Sequence, residues 1–264
     1  MRASLLAENA RSQRNGGTAM TTPAVDERDL IALRNAVERG QALLANLGLK
    51  STPIEQAGVA LAWAHEEFGE RFAVASSMGD EALVHLASQQ APGVDVVFLD
   101  TGYHFAETIG LRDAIGSTSN VRMKTVLPLL SVSEQDAEYG PKLHDRDPDK
   151  CCAMRKVEPL ERALGSYDAW ATGMRRVDAP TRSDIEVIGW DTKRNMVKVN
   201  PLAAWSDDDV DTYVAENGVL LNPLRQLGYA SIGCEPCTRA VAPGDDPRSG
   251  RWVGLDKTEC GLHT

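Results

Sequence analysis

Phe72-Ala73-Val74-Ala75 leads straight into Ser76-Ser77-Met78-Gly79-Asp80, and a helical pattern follows over 80–88. An apolar run, a turn of small residues and then a helix form the first half of a βαβ unit. The pattern recurs. The run 94–99 stops at Asp100-Thr101-Gly102 and a helix follows near 105–114; 121–126 reads as a third buried strand. Strands alternating with helices imply an α/β fold, a largely parallel sheet flanked by helices.

Upstream, 24–46 carries Leu30, Leu33, Val37, Leu43 and Leu44 at helical spacing, and 52–68 opens at Thr52-Pro53 and closes before Gly69. Downstream, 140–150 contains Pro141 and Pro148 and reads as a loop. Residues 151–164 read as one helix, 169–172 and 185–190 as strands, and 206–217 as a helix. Three segments result: a flexible N-terminal tail at 1–24, an α/β nucleotide-binding domain at 25–237, and a mobile C-terminal segment at 238–264.

Of 264 residues, 42% are hydrophobic and 25% charged, so the chain buries a core without needing disulfides. Lys and Arg number 28 against 38 Asp and Glu, and the net charge of −10 speaks against nucleic acid or an anionic membrane as partner. The longest apolar stretches, 93–99 and 197–204, fall far short of the roughly 20 residues of a membrane-spanning helix. The first residues, MRASLLAENARSQRNGGTAM, lack the apolar core of a signal peptide, which makes a reducing cytoplasm the expected compartment. Met1 and Met20 both serve as possible starts.

The turn after the first strand presents small residues and hydroxyls at a helix N-terminus, a setting that suits an anion. No Lys-Ser/Thr follows at P-loop spacing and no GxGxxG is present. Alone, the turn reads as an ordinary connection. A second Gly-containing turn after Leu99 adds weight, because open α/β sheets bind ligands beyond the carboxyl ends of their strands.

Five cysteines are too few for a disulfide scaffold. Cys151 and Cys152 are neighbours, and Cα atoms ~3.8 Å apart sit closer than the ~4.4 Å a disulfide ordinarily needs. With Cys234 and Cys237 of a C-x-x-C, they make four thiols, enough for an iron–sulfur cluster or a structural zinc. The adjacent pair favours iron–sulfur, since structural zinc sites use spaced pairs. Cys260 is the odd thiol, and alone it reads as incidental. Cations gather near the cysteines in sequence: Arg155, Lys156, Arg162, Arg175, Arg176, Arg182, Arg239, Arg248 and Arg251. Their guanidinium forks suit phosphate and sulfate oxygens.

Several of these stretches together resemble the PAPS reductase family. They are Ser76–Glu81, Phe98-Leu99-Asp100-Thr101-Gly102, Cys151-Cys152-x-x-Arg155-Lys156-Val157-Glu158-Pro159-Leu160, Thr172-Gly173-x-Arg175-Arg176, Pro180-Thr181-Arg182, Val199-Asn200-Pro201-Leu202, Gly233-Cys234-x-x-Cys237 and Glu259-Cys260-Gly261-Leu262-His263. The resemblance covers about residues 70–264 and is strongest to the bacterial assimilatory adenylylsulfate (APS) reductases, the branch that pairs Cys-Cys with C-x-x-C. The chain departs from the common pattern at Met174, at Ala179 and at Pro148-Asp149.

The resemblance implies an adenine nucleotide α-hydrolase-like fold with a modified PP-loop. It implies a [4Fe–4S] cluster on Cys151, Cys152, Cys234 and Cys237, with Cys260 and Lys156 as catalytic residues. Ser76, Ser77, Gly79, Leu99, Gly173, Arg182, Arg248 and Arg251 are the implied substrate contacts, with Arg175 and Arg176 second as supports of their turn. The implied reaction is thioredoxin-dependent reduction of APS to sulfite and AMP through an S-sulfocysteine. Expected partners are APS and a thioredoxin or glutaredoxin-like reductant, with a homo-oligomer allowed and neither nucleic acid nor membrane. The alternative substrate is PAPS. An RNA-thiolating PP-loop enzyme favours a Ser-Gly-Gly-x-Asp-Ser loop that Ser76-Ser77-Met78-Gly79-Asp80-Glu81 is not. A metal or redox sensor would need a partner module, and no basic recognition helix is evident.

Overall fold

A computed structural model describes residues 29–48, 50–79, 81–255, 257, 259 and 261–262. The expected tail at 1–24, the two candidate starts, Cys260 and His263 lie outside the described residues.

Helix α1 (Leu30–Asn46) opens at Asp29, whose carboxylate accepts from the amides of Ile31 and Ala32. Helix α2 (Pro53–Phe68) opens on a reciprocal cap between Thr52 and Glu55, with Pro53 in the first turn where its missing N–H costs nothing. Then follow β1 (Phe72–Ala75), α3 (Glu81–Gln90), β2 (Val94–Leu99), α4 (Ala106–Thr118) and β3 (Val121–Val126). Next come α5 (Val132–Tyr139), α6 (Leu143–Arg146), α7 (Pro148–Cys152), a π-helical turn (Ala153–Val157) and α8 (Glu158–Leu164). The chain continues through β4 (Ala169–Thr172), β5 (Ile188–Asp191), β6 (Met196–Val199) and α9 (Asp207–Asn217).

The four strands 72–75, 94–99, 121–126 and 169–172 stand where the sequence places them, but β3 is an edge strand with no fully buried residue rather than the buried strand expected, because it has a neighbour on one side only. Three other stretches differ from expectation. The proline-bearing segment 140–150 holds α6 and the start of α7. Helices this short show no period, and Pro148 occupies a first turn capped by Asp147, which accepts from the Lys150 amide. The helix expected over 151–164 is interrupted by its π turn, directly after the cysteine pair. Strand β6 was not anticipated; it pairs antiparallel with β5, which begins later than the apolar run suggests.

The six strands run in the order β3-β2-β1-β4-β6-β5, all parallel except β5. Helices α1, α2, α3 and α9 cover one face of the sheet, contributing Leu33, Leu61, Leu83 and Tyr213 to the larger core. The other face packs Ala73, Val97 and Trp170 against Leu160 and Leu164 of α8. From β1 the chain winds outward to β2 and β3 on one side, and β4 starts the other side. Ala75 pairs with Thr172 at the crossover, so the turns beginning at Ser76 and Gly173 flank one crevice at the carboxyl ends of the strands.

Candidate active site

A cleft of about 300 Å³ opens at that crevice. Its lining includes Ser76, Ser77, Gly79, Leu99, Lys156, Gly173, Arg182, Arg248 and Arg251. The structure thus gathers every described residue that the sequence offered as a substrate contact, together with Lys156. Among the departures from the family pattern, Met174 lines the cleft too.

The first turn is held by its own chemistry. The Ser76 amide donates to the Val97 carbonyl (3.1 Å) and its hydroxyl accepts from the Met78 amide (3.1 Å). Met78 is buried with a left-handed backbone (φ 58°), a conformation uncommon for a non-glycine residue. The Met78 and Gly79 carbonyls are engaged by Asn222 Nδ2 (3.4 Å) and an Arg225 guanidinium nitrogen (3.1 Å). Oxygens that would repel an anion are therefore already satisfied. On the neighbouring turn, His104 Nε2 donates to the Leu99 carbonyl (2.9 Å). Burial pushes the pKa of His104 down and the Lys156 charge pushes the same way, against the pull of the Leu99 carbonyl, so its ring is neutral.

After β4, the Thr172 hydroxyl donates to Asn200 Oδ1 (2.9 Å). Arg175 pairs with Asp178 and Asp207, each at 2.8 Å, and Arg176 Nε donates to the Ile185 carbonyl (3.0 Å). Both arginines brace the turn.

The cations on the far side come from separate segments. Arg182 reaches Glu259 (3.0 Å) and Asp178 (3.3 Å), and Arg248 reaches the same Glu259 (3.2 Å). Arg251 donates to the Ser231 hydroxyl (3.3 Å) and lies over the Trp252 ring (4.5 Å). Gly233 makes room for it: a Cβ there would overlap the guanidinium, with Cζ at 2.6 Å. A bridge between Thr238 and Arg251 folds this part of the chain back on itself. Lys257 pairs with Asp149, another of the positions where the sequence departs from the family pattern.

Beside the cleft, a small pocket is lined by Cys151, Cys152, Cys234 and Cys237 with Tyr103, His144, Arg155 and Trp252. None of the four thiols is in a disulfide. Burial, then the neighbouring thiols, pushes Cys151 up to about 12; burial, then Cys234, pushes Cys237 up to about 11. Cys234 is fixed by the Thr101 hydroxyl at 3.3 Å from its Sγ and by Thr238, whose hydroxyl donates to its carbonyl (2.8 Å). Buried Arg155 donates to the carbonyls of Thr101 and Leu130 and to Gln135, so it ties the π turn to the loop after β2. Among the described residues, no three His, Cys, Asp or Glu side chains converge as ligands of a single metal ion. Lys156 lines both the pocket and the cleft.

Sequence reading missed Arg225, Asn222, His104 and Glu259. Arg225 and Asn222 lie far along the chain from the turn they hold. Glu259 was visible only as the neighbour of Cys260, and an acid gives no signal for a place among arginines.

No helix among the described residues is long and apolar enough to cross a membrane. A family model described as "Phosphoadenosine phosphosulfate reductase domain" matches residues 71–240. A protein of Streptomyces coelicolor named "Adenosine 5'-phosphosulfate reductase" is 63% identical over 203 residues, covering 77% of this chain and 86% of its own. A Mycolicibacterium smegmatis protein of the same name is 51% identical over 246 residues, covering 93% and 99%. Among solved structures, a phosphoadenylyl-sulfate (PAPS) reductase from Candida auris in a phosphate complex has a TM-score of 0.61 at 28% identity, covering 77% of this chain and 97% of that one. An FMN adenylyltransferase of Candida glabrata shares the fold alone, with a TM-score of 0.51 at 13% identity, covering 82% and 80%. The sheet order and these likenesses agree with the adenine nucleotide α-hydrolase-like, modified PP-loop fold. With a profile match over most of its length and relatives this similar, the chain belongs to the phosphoadenosine phosphosulfate reductase family.

Proposed function

We propose that this protein reduces adenylylsulfate to sulfite and AMP in sulfate assimilation, in the reducing interior of the cell. The observation that carries the reading is Lys156, which lines both the phosphate-suited cleft and the four-thiol pocket. The relatives named "Adenosine 5'-phosphosulfate reductase" support APS over PAPS as the substrate.

The turns at Ser76–Gly79, Leu99 and Gly173 hold the AMP half. Lys156, Arg182, Arg248 and Arg251 offset the charge of the phosphosulfate, which otherwise repels an attacking thiolate. Cys260 is the proposed nucleophile. Its thiolate attacks the sulfur of APS, the bond from sulfur to the phosphate oxygen breaks, and AMP leaves with that electron pair. The enzyme then carries an S-sulfocysteine. A thioredoxin or glutaredoxin-like dithiol supplies two electrons. One of its thiolates attacks Cys260 Sγ and expels sulfite; its second thiol resolves the mixed disulfide and restores Cys260.

The pocket residues fit an iron–sulfur cluster. All four donors are thiols in one pocket, none is in a disulfide, and at Cys151 and Cys237 burial opposes the thiolate form, a cost that a cationic centre would compensate. Cys151, Cys152, Cys234 and Cys237 would hold a [4Fe–4S] cluster. When bound, the cluster supplies a charged centre beside Lys156 that tunes the electrostatics of the anion site.

The test is anaerobic purification followed by iron and zinc analysis and paired turnover assays with APS and PAPS. Iron in the protein and thioredoxin-dependent sulfite release from APS are expected. Serine in place of any one of the four cysteines should remove the iron and most of the turnover. Zinc without iron overturns the cluster, and preference for PAPS transfers the protein to the phosphorylated substrate.

A further inference from the structure

We propose that Glu259 is a built-in competitor for the substrate's anion, while Leu262, through its backbone carbonyl on Arg194 and its apolar packing, forms a second anchor that stays docked when Glu259 is displaced. The inference rests on the function proposed above, since it takes Arg182 and Arg248 as the anion site.

Both carboxylate oxygens of Glu259 are engaged by these arginines: Arg182 at 3.0 and 3.1 Å, Arg248 at 3.2 Å. The pair is not a loose surface contact, since the Arg182 side chain is 11% exposed and that of Glu259 23%. A carboxylate offers guanidinium groups the same paired oxygens that a phosphate or sulfate does. Arg182 and Arg248 cannot give those donors fully to both. A bound anion therefore competes with Glu259 for the Nη2 donors of both arginines.

The second anchor is of another kind. The Leu262 carbonyl accepts from an Arg194 guanidinium nitrogen (3.0 Å), and its side chain packs with the cluster that contains Trp170, Leu160 and Leu164. The Arg194 side chain is 4% exposed and is held in place by Asp191 (2.9 Å) and Glu161 (2.8 Å). Leu262, Trp170 and Leu160 line the cleft themselves, so an entering anion competes directly with the first anchor, while the second keeps its hold through the Leu262 carbonyl on Arg194, which stands outside the lining. Of the two described contacts, the one at Leu262 is kept while the one at Glu259 becomes adjustable, and a group that stays attached keeps a high effective concentration at its site.

The experiment is a calorimetric titration of the intact protein with inorganic phosphate and, separately, with AMP. Glu259→Gln keeps the shape of the side chain and removes the charge. It should bind phosphate about three- to tenfold more tightly than the parent, because one ion pair no longer opposes entry. Glu259→Asp keeps the carboxylate and should stay near the parent value. Leu262→Ala should lower kcat about tenfold without weakening phosphate binding, since it loosens the anchor and spares the arginines. Equal or weaker phosphate binding by Glu259→Gln, with an unchanged melting temperature, overturns the competitor. Parent-like kcat in Leu262→Ala overturns the anchor. The titrations that test Glu259 need no turnover, so failure of APS reduction in the parent protein would overturn the proposed function and the anchor read through kcat, and would leave the competitor standing or falling on phosphate binding alone.

Discussion

The two halves of the cleft are built by different means. The half proposed for the nucleotide consists of turns at the ends of β1, β2 and β4, set by the strand register and by backbone hydrogen bonds such as Ser76 to Val97. The half proposed for the anion consists of long side chains, Lys156, Arg182, Arg248 and Arg251, brought together from separate segments. The first half is rigid because the sheet is rigid. In the second, two of the arginines are paired with Glu259, and the exchange of partners proposed above would make it adjustable. A half built on backbone and a half built on side-chain charge suit a substrate whose nucleotide part stays intact while its phosphosulfate bond breaks.

The largest expected effect breaks the chemistry and leaves both halves standing. Cys260→Ser should abolish turnover yet still bind APS and retain iron, because it removes the nucleophile alone. Mass spectrometry of the parent incubated with APS and no reductant should show one sulfite-sized addition on the Cys260 peptide. An adduct on Cys234 or Cys237 would refute that assignment.

Next, the anion half should respond one cation at a time. Alanine at Lys156, Arg182, Arg248 or Arg251 should each reduce kcat/KM about tenfold or more, as expected for a charge-assisted contact of roughly 1.5–3 kcal/mol. A variant with parent kinetics would return its residue to a structural role.

Gly233→Ala sharpens the comparison further. Its Cβ would push against the Arg251 guanidinium without touching the turns of the other half. APS turnover should fall several-fold, on the order of 1 kcal/mol in activation free energy, with AMP affinity changed little. Loss of AMP binding instead would show that the two halves are coupled.

The smallest effect concerns pH and the nucleotide half. His104 is kept neutral by burial, with its folded pKa below the ordinary 6.5. The unfolded chain gains a proton as pH falls through 6.5 while the folded chain resists it, so this stabilisation is full above 6.5 and is lost on acidification. His85 shifts the same way, also through burial. Denaturant melts between pH 7 and 5 should therefore show a shallower acid loss in His104→Gln than in the parent, with some slope remaining. An unchanged slope would remove His104 from the account.

Sequence reading reached unevenly into this molecule. Strands buried in a parallel sheet are short apolar runs bounded by turns, so β1, β2 and β4 could be read residue by residue, and β3, at the sheet edge, could be placed although its burial was overestimated. α5, α6 and β6 could not, because segments of four to eight residues carry too little period to stand out. The cleft lining was legible where a strand-end turn or a family motif marked it. Arg225 and Asn222 were not, since they hold the Ser76–Gly79 turn from more than a hundred positions away.

The amino-acid sequence by itself determined the α/β class, the strand-end turns, the four paired cysteines and the arginines suited to an oxyanion. Each of these is a local pattern or a fixed spacing. Only the tertiary structure decided that Lys156 stands between the thiol pocket and the cleft, that Arg155 and Arg175 brace the fold, and that Glu259 lies on Arg182 and Arg248. The physical reason is that a charge has no preferred partner in one dimension. Which opposite charge it meets depends on where the sheet order and the returning chain bring their ends together.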